Sequence, residues 1–318
     1  MSGELLETIV GDAKRIGISG HIHPDGDSVG AVLGCYLYLK NMLPDSEIYP
    51  YLETPGRSFR MLTGIDKIRS DFQFPEEPFD VFISVDCGSR DRLGACEEAF
   101  QAAKKTVNID HHITNTGFAD VNHVEAYSSS ACEVLFGLMN PEAIDLPTAE
   151  ALYIGIMHDT GVFKYSCTSE KTMKIAGYLM SKGIDTADLI DRSFYMKSFT
   201  QLKALGFALN KAELVLGGKA IVSILRINDM DKLGITIADT EGIVSELRTT
   251  EGVECAVFVR EEAPETFKFS LRSNGKVDVS VISSSFDGGG HRMAAGFTAK
   301  GELDGILTQL YAMIMLQL

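Results

Sequence analysis

Short runs of β-branched and aliphatic residues that end abruptly in acids and histidines constrain this chain more than any other feature. RIGISG leads into GHIHPDGDS (Gly20 to Ser28), VFISVD closes in SVDCGS (Ser84 to Ser89), and TVNID closes in NIDHH (Asn108 to His112). Between them lie segments of helical pattern, the apolar run through Val32 to Lys40 and DRLGACEEAFQAAKK. Strand-length runs alternating with helical segments indicate βαβ units and a parallel sheet covered on both faces, so the first part of the chain is α/β. Ligands of such sheets gather at the carboxyl ends of the strands, which assigns the polar clusters to one rim. A fourth cluster, MHDTG (Met157 to Gly161), follows PTAEALYIGIM. Its alanine and leucine content predicts a helix entered after Pro147 and stopped near Gly161, and a helix end can reach the same rim.

At 318 residues the chain exceeds what one core usually supports, so two domains are expected. Residues 169–206 read as helical, with the connection placed around Thr186 to Gln201. Beyond it, ELVLGGKAIVSILR reads as two strands about the Gly217-Gly218 turn, TIADTEGIVSELRTT as a helix, and CAVFVREEAPETFKFSLRS as a second hairpin. KVDVSVIS, a glycine run and an apolar helix near Leu303 to Leu318 complete the chain.

Six cysteines without CxxC spacing disfavour zinc ribbons, thioredoxin-type redox chemistry and a disulfide framework, and fit a reducing cytoplasm. The opening MSGELLETIV carries acids where a secretory leader has basic residues, and no apolar run approaches the roughly 18 residues that cross a bilayer; no membrane partner is expected. Net charge is 29 − 44 = −15, which repels long polyanions, so a nucleic-acid substrate should be short.

The clusters carry the chemistry. Pro24 and Gly26 enforce a tight loop on which His21, Asp25 and Asp27 converge. With Asp86, His111 and Asp159 they make six ligands, more than one structural zinc site uses, and four ionised aspartates balance two divalent cations. An oxygen-rich set without thiolates suits manganese, with magnesium, cobalt or iron as alternatives. PDGD alone is a common turn and DHH alone says little; specificity comes from the set. His23, His123 and His158 stay outside it. Gly288, Gly289 and Gly290 let backbone approach a phosphate, with RMAAG expected to begin a helix whose amides face the anion. Phe163, Tyr165, Ser166 and Thr168 follow Asp159, and packing of the wall is the simpler reading of the aromatics. Arg90 and Arg92, beside Asp86, either steer phosphate or cap the following helix.

Taken together, these motifs resemble the DHH phosphoesterase superfamily, and GGGHRMAAG resembles its DHHA1 branch, over nearly the whole chain. Size and the lack of further domains are most similar to the stand-alone bacterial nano-RNases that also act as pAp phosphatases. The resemblance implies a DHH domain with a parallel sheet flanked by helices (1–186), a helical linker (187–202) and a smaller DHHA1 domain with a mixed sheet (203–318), with the active-site cleft between the domains. It implies His21, Asp25 and Asp86 on one metal, and Asp27, Asp86, His111 and Asp159 on the other, Asp86 bridging. It further implies a catalytic His112 facing the substrate phosphate, with Asp110 orienting the neighbouring imidazoles. His23 stands where the family frequently has asparagine. Arg272, Gly288, Gly289, Gly290 and His291 are the expected substrate grip.

The expected function is metal-dependent removal of 5′-mononucleotides from very short RNA and dephosphorylation of pAp to AMP, with a homodimer compatible. A cyclic- or linear-dinucleotide phosphodiesterase (c-di-AMP, pApA) uses the same residues, and a nucleotide sensor without turnover is the reading from another class.

Overall fold

In the computed structural model, which describes residues 5–318, the strand and helix alternation of the first part becomes a wholly parallel sheet. Its strands are β1 (Arg15–Ser19), β2 (Glu47–Tyr51), β3 (Val81–Val85), β4 (Thr106–Asp110) and β5 (Val121–Val124), in the order β2-β1-β3-β4-β5. The helices are α1 (Leu6–Val10), α2 (Gly26–Met42), α3 (Glu97–Ala102), α4 (Ala131–Gly137), α5 (Leu146–Asp159), α6 (Glu170–Met180) and α7 (Thr186–Ile190). Ile16, Ile18, Ile83, Val107 and Ile109 bury one sheet face with α2, α4 and α5. Phe82 turns the other way, into an aromatic cluster with Tyr51, Phe79 and Phe100. Two buried faces explain why β1, β3 and β4 are buried along nearly their whole length instead of alternating. Pro50 is tolerated in β2 because β2 is an edge strand.

Strand order reverses between β1 and β3, and at such a switch point the loops leave in opposite directions and open a crevice at the carboxyl end of the sheet. Helices α2 and α5 cross closely over it. A Cβ on Gly30 would meet the Ala151 carbonyl oxygen at 2.5 Å, and one on Gly155 would meet Cys132 Sγ at 2.2 Å and Asp27 Oδ1 at 2.7 Å. Only glycine lets the backbones approach this far, and the approach sets Asp27 of α2 beside the last turn of α5.

The described chain forms two compact units, the first ending at Met196 and the second comprising Lys197–Leu318. The connecting stretch contains α7, a wide turn at Asp191–Tyr195, and the start of α8 (Phe199–Asn210), capped by Ser198 and Gln201. The second unit holds β6 (Glu213–Val215), β7 (Ala220–Leu225), β8 (Cys255–Ala263), β9 (Thr266–Ser273), β10 (Gly289–His291) and β11 (Ala294–Lys300), in the order β10-β11-β9-β8-β7-β6. Only β7 and β8 pair in parallel, which makes the sheet mixed. Its helices α9 (Ile227–Leu233), α10 (Ile243–Arg248), α11 (Val279–Ser284) and α12 (Leu303–Met315) complete two apolar cores on the two sheet faces.

Both predicted hairpins form. Three local expectations need correction. TIADTEGIVSELRTT is not one helix: Gly242, at φ 81, separates a single 3₁₀ turn at Ile237–Thr240 from α10. RMAAG begins no helix, because Ala294 to Gly296 are recruited as β11 against β9. β5 was not anticipated; it is a four-residue edge strand, VNHV, that alternates between half-buried and exposed positions. No helix of the described residues is long and apolar enough to cross a membrane.

Candidate metal centre

Each expected ligand sits at an element end on the switch-point rim. His21 follows β1, Asp25 caps α2, Asp27 lies in its first turn, Asp86 follows β3, His111 follows β4, and Asp159 ends α5. His21 Nε2 stands 3.4 Å from Asp86 and 3.7 Å from Asp25. His111 Nε2 stands 3.2 Å from Asp159, 3.5 Å from Asp86 and 3.9 Å from Asp27. The donor atoms of His21, Asp25 and Asp86 fall within 4.8 Å of one another, as do those of Asp27, His111 and Asp159, and those of Asp86, His111 and His112. Asp86 thus belongs to two groups. Its backbone holds φ 55, a left-handed conformation rare for a non-glycine residue.

Donors held about 2.1 Å from one ion lie roughly 3.0 to 3.4 Å apart, at right angles or in a tetrahedron, and the observed spacings begin at that value. Burial and the nearby Asp86 charge push Asp27 up to about 7. Burial and the Asp27 and Asp86 charges likewise hold Asp159 well above the usual carboxylate range. Burial alone would lower His21, yet hydrogen bonds that its ring donates to Asp25 and Asp86 raise it to about 10; His111 rises to about 10 against its own burial, through Asp86, Asp27 and Asp159. The raised Asp27 and Asp159 mark a place where negative charge is crowded beyond what the local amides and imidazoles offset, and divalent cations would relieve that crowding. The donor set fits a metal, and the His21 ring is already aimed: its Nδ1 is 2.7 Å from the Ile22 carbonyl and 3.1 Å from Arg92 Nη2, which leaves Nε2 facing the carboxylates.

Beside these donors, His112 Nδ1 donates to Asp110 Oδ1 at 2.7 Å, and Asp110 Oδ2 accepts from Asn115 at 2.6 Å. Burial opposes ionisation of Asp110, but His112 and Asn115 outweigh it and lower its pKa; the same bond raises His112. Asn115 also touches Asn108 and the Cys87 carbonyl, so one amide ties β4 to the loop after Asp86. Sequence reading passed over Asn115. It passed over the start of α4 as well, where the Ala131 and Cys132 amides donate to Asp27 Oδ2 and Oδ1 at 2.6 and 3.0 Å. Buried Glu133 fixes that turn by accepting from Ser129 and Thr172. The S-x-x-E spacing of Ser130 and Glu133 is the capping signal that marks it.

His23 is outside the cluster, paired to Glu53 at 3.2 Å and largely exposed. His158 packs between Phe59 and Phe194, and burial lowers its pKa to about 4. Arg90 pairs with Glu97 at 3.2 Å, and Arg92 donates to the Ile22 carbonyl at 3.4 Å. In the second unit, His291 pairs with Ala294, and Ala294 with Arg272, so the three lie in one row across β10, β11 and β9. Side chains of one row share a face, so Ala294 stands between the imidazole-bearing and guanidinium-bearing positions. Gly288 and Gly290 serve the hairpin's own close packing, while Gly289 borders open space.

An α/β unit with this acid and histidine centre defines a metal-dependent hydrolase. The DHH family, N-terminal domain, matches residues 15–156, and the DHHA1 domain matches residues 217–315. The chain is 30% identical to the bifunctional oligoribonuclease and PAP phosphatase NrnA of Thermus thermophilus, covering 98% of this chain and 90% of that one. It is 27% identical to the Bacillus subtilis protein of the same name, over 98% and 97%. A solved exopolyphosphatase-related protein from Bacteroides fragilis superposes with a TM-score of 0.85 at 25% identity, covering 96% and 92%. The chain belongs to the DHH/DHHA1 phosphoesterase family and hydrolyses phosphoester bonds.

Proposed function

We propose that this enzyme removes 5′-mononucleotides from very short oligoribonucleotides and dephosphorylates pAp to AMP, using two divalent ions, manganese by preference. The observation that carries the reading is the sharing of Asp86 and His111 among three donor groups within 4.8 Å, which suits a pair of ions better than one. His21, Asp25 and Asp86 would hold one ion and Asp27, Asp86, His111 and Asp159 the other. Bound divalent ions supply Lewis acidity and a water of lowered pKa. The chain's part is orientation. The start of α4 fixes both oxygens of Asp27, and Asp110 fixes the His112 ring with Nδ1 as donor, leaving Nε2 to grip a phosphoryl oxygen. Arg272, Gly288, Gly289, Gly290 and His291 are the residues of the second unit assigned to the remaining substrate phosphate, His291 and Arg272 lying on either side of Ala294 in one row of the sheet. Six free thiols support a cytoplasmic location.

The deciding experiment is a panel of pAp, a diribonucleotide, c-di-AMP and a long single-stranded RNA, assayed with manganese. Turnover of pAp and the diribonucleotide in preference to the others is expected, and Asp86→Ala should lose at least about 100-fold in kcat/KM by removing a ligand of both ions. Preference for c-di-AMP would establish the cyclic-dinucleotide reading instead. Nucleotide binding without release of product by either form would establish the sensor.

A further inference from the structure

The segment that follows Asp159 is folded in an unusual way. Gly161, Val162 and Phe163 hold φ of 55, 58 and 62, three successive left-handed residues, one of them β-branched. L residues rarely adopt this conformation, and a run of it outside glycine is retained where surrounding structure imposes it. The turn sorts the two aromatics that sequence alone left equivalent. Phe163 faces inward against Tyr153, with ring centroids 5.8 Å apart. Tyr165 is folded back: its amide donates to the Thr160 carbonyl at 2.9 Å, and a Cβ on Gly161 would lie 2.4 to 2.7 Å from Cζ, Cε2 and Cε1 of its ring. The phenol end is therefore seated on Gly161, two residues from Asp159, while 49% of Tyr165 remains exposed. Cys167 Sγ also lies 3.7 Å from the Asp159 carbonyl, so the whole segment curls around the end of α5.

A ring held on one side by a glycine and open on the other has already lost the freedom that stacking would cost. We infer that Tyr165 is the stacking platform for the nucleobase of the nucleotide whose phosphate is attacked at the neighbouring carboxylates. Because every base presents a π-face, such a platform selects nucleotides over other phosphoesters without reading their sequence. The inference rests on the proposed nucleotide-hydrolase reading and adds the element that recognises the base.

Two measurements test it. The first compares pAp with base-free ribose 3′,5′-bisphosphate in wild type, Tyr165→Phe and Tyr165→Ala, with manganese. Tyr165→Ala should narrow the preference for pAp by about 5- to 150-fold, through KM more than kcat, and Tyr165→Phe should keep it. Equal losses on both substrates in Tyr165→Ala would overturn the inference and leave the ring a packing residue. The second uses the absence of tryptophan from the chain, which makes Tyr165→Trp a single fluorophore. Its emission should be quenched by AMP and not by ribose 5-phosphate, and equal response to both overturns the inference. If wild type hydrolyses neither bisphosphate, the functional reading fails by itself, and the quenching result still decides the role of Tyr165.

Discussion

At the scale of single residues, the centre is a place where charge is concentrated before any ion arrives. Asp86 is 2% exposed and Asp27 fully buried; burial and the Asp86 charge raise Asp27, whose two oxygens accept from the Ala131 and Cys132 amides. His158 shows the opposite device. It is held neutral between Phe59 and Phe194 directly against Gly26, so that the loop bearing Asp25 and Asp27 rests on its ring. Its folded pKa, about 4, lies below the ordinary value of 6.5 because burial disfavours the cation. Above pH 6.5 both folded and unfolded states are neutral and the fold keeps its full stability. As pH falls from 6.5 towards 4, the unfolded chain takes up a proton that the folded one refuses, costing about 2 kcal/mol by pH 5. His158→Phe keeps the ring and removes the proton site. In urea titrations with chelator present, the variant should lose about 2 kcal/mol less than wild type between pH 7 and pH 5. Parallel losses in the two proteins would show that His158 is not held neutral.

At the scale of elements, the site depends on how closely α2 and α5 approach. Gly26, Gly30 and Gly34 recur at every fourth residue and so line one stripe of α2, with the Gly30 position against the Ala151 carbonyl and Gly155 against Asp27. Gly30→Ala should therefore destabilise the protein by about 1–3 kcal/mol through overpacking, and should weaken manganese binding by parting Asp27 from Asp159. Denaturant midpoints with and without manganese check both effects; an unchanged metal affinity would mean that α5 positions its ligand independently of α2. The strands β1, β3 and β4 were legible in the sequence, because burial on both faces leaves a plain apolar signature that ends in acids and histidines. What escaped sequence reading had weaker marks. The glycine stripe of α2 acquires its meaning only once α5 is seen packed against it. β5 is a four-residue edge strand. RMAAG has the composition of a helix, and only pairing with the distant β9 makes it a strand, a long-range preference that local pattern cannot carry. The amides of α4 that hold Asp27 belong to the backbone, which has no residue signature beyond its cap.

For the molecule as a whole, the net charge of −15 meets a substrate that is itself an anion. A locally favourable centre in a repulsive field selects against length, because every added phosphate outside the grip contributes repulsion and no contact. That electrostatic account differs measurably from a purely steric one. Repulsion is screened as the Debye length falls from about 10 Å at 0.1 M to about 3 Å at 1 M salt, whereas a closed-ended site is indifferent to salt. With manganese held constant, the ratio of diribonucleotide to long-RNA cleavage should shrink as sodium chloride is raised over this range, chiefly because kcat/KM for the long strand rises or falls less. A ratio that stays flat would assign the length limit to shape alone. A ratio that grows would place the long strand on a basic track of the surface and contradict a length limit set by the protein's negative field.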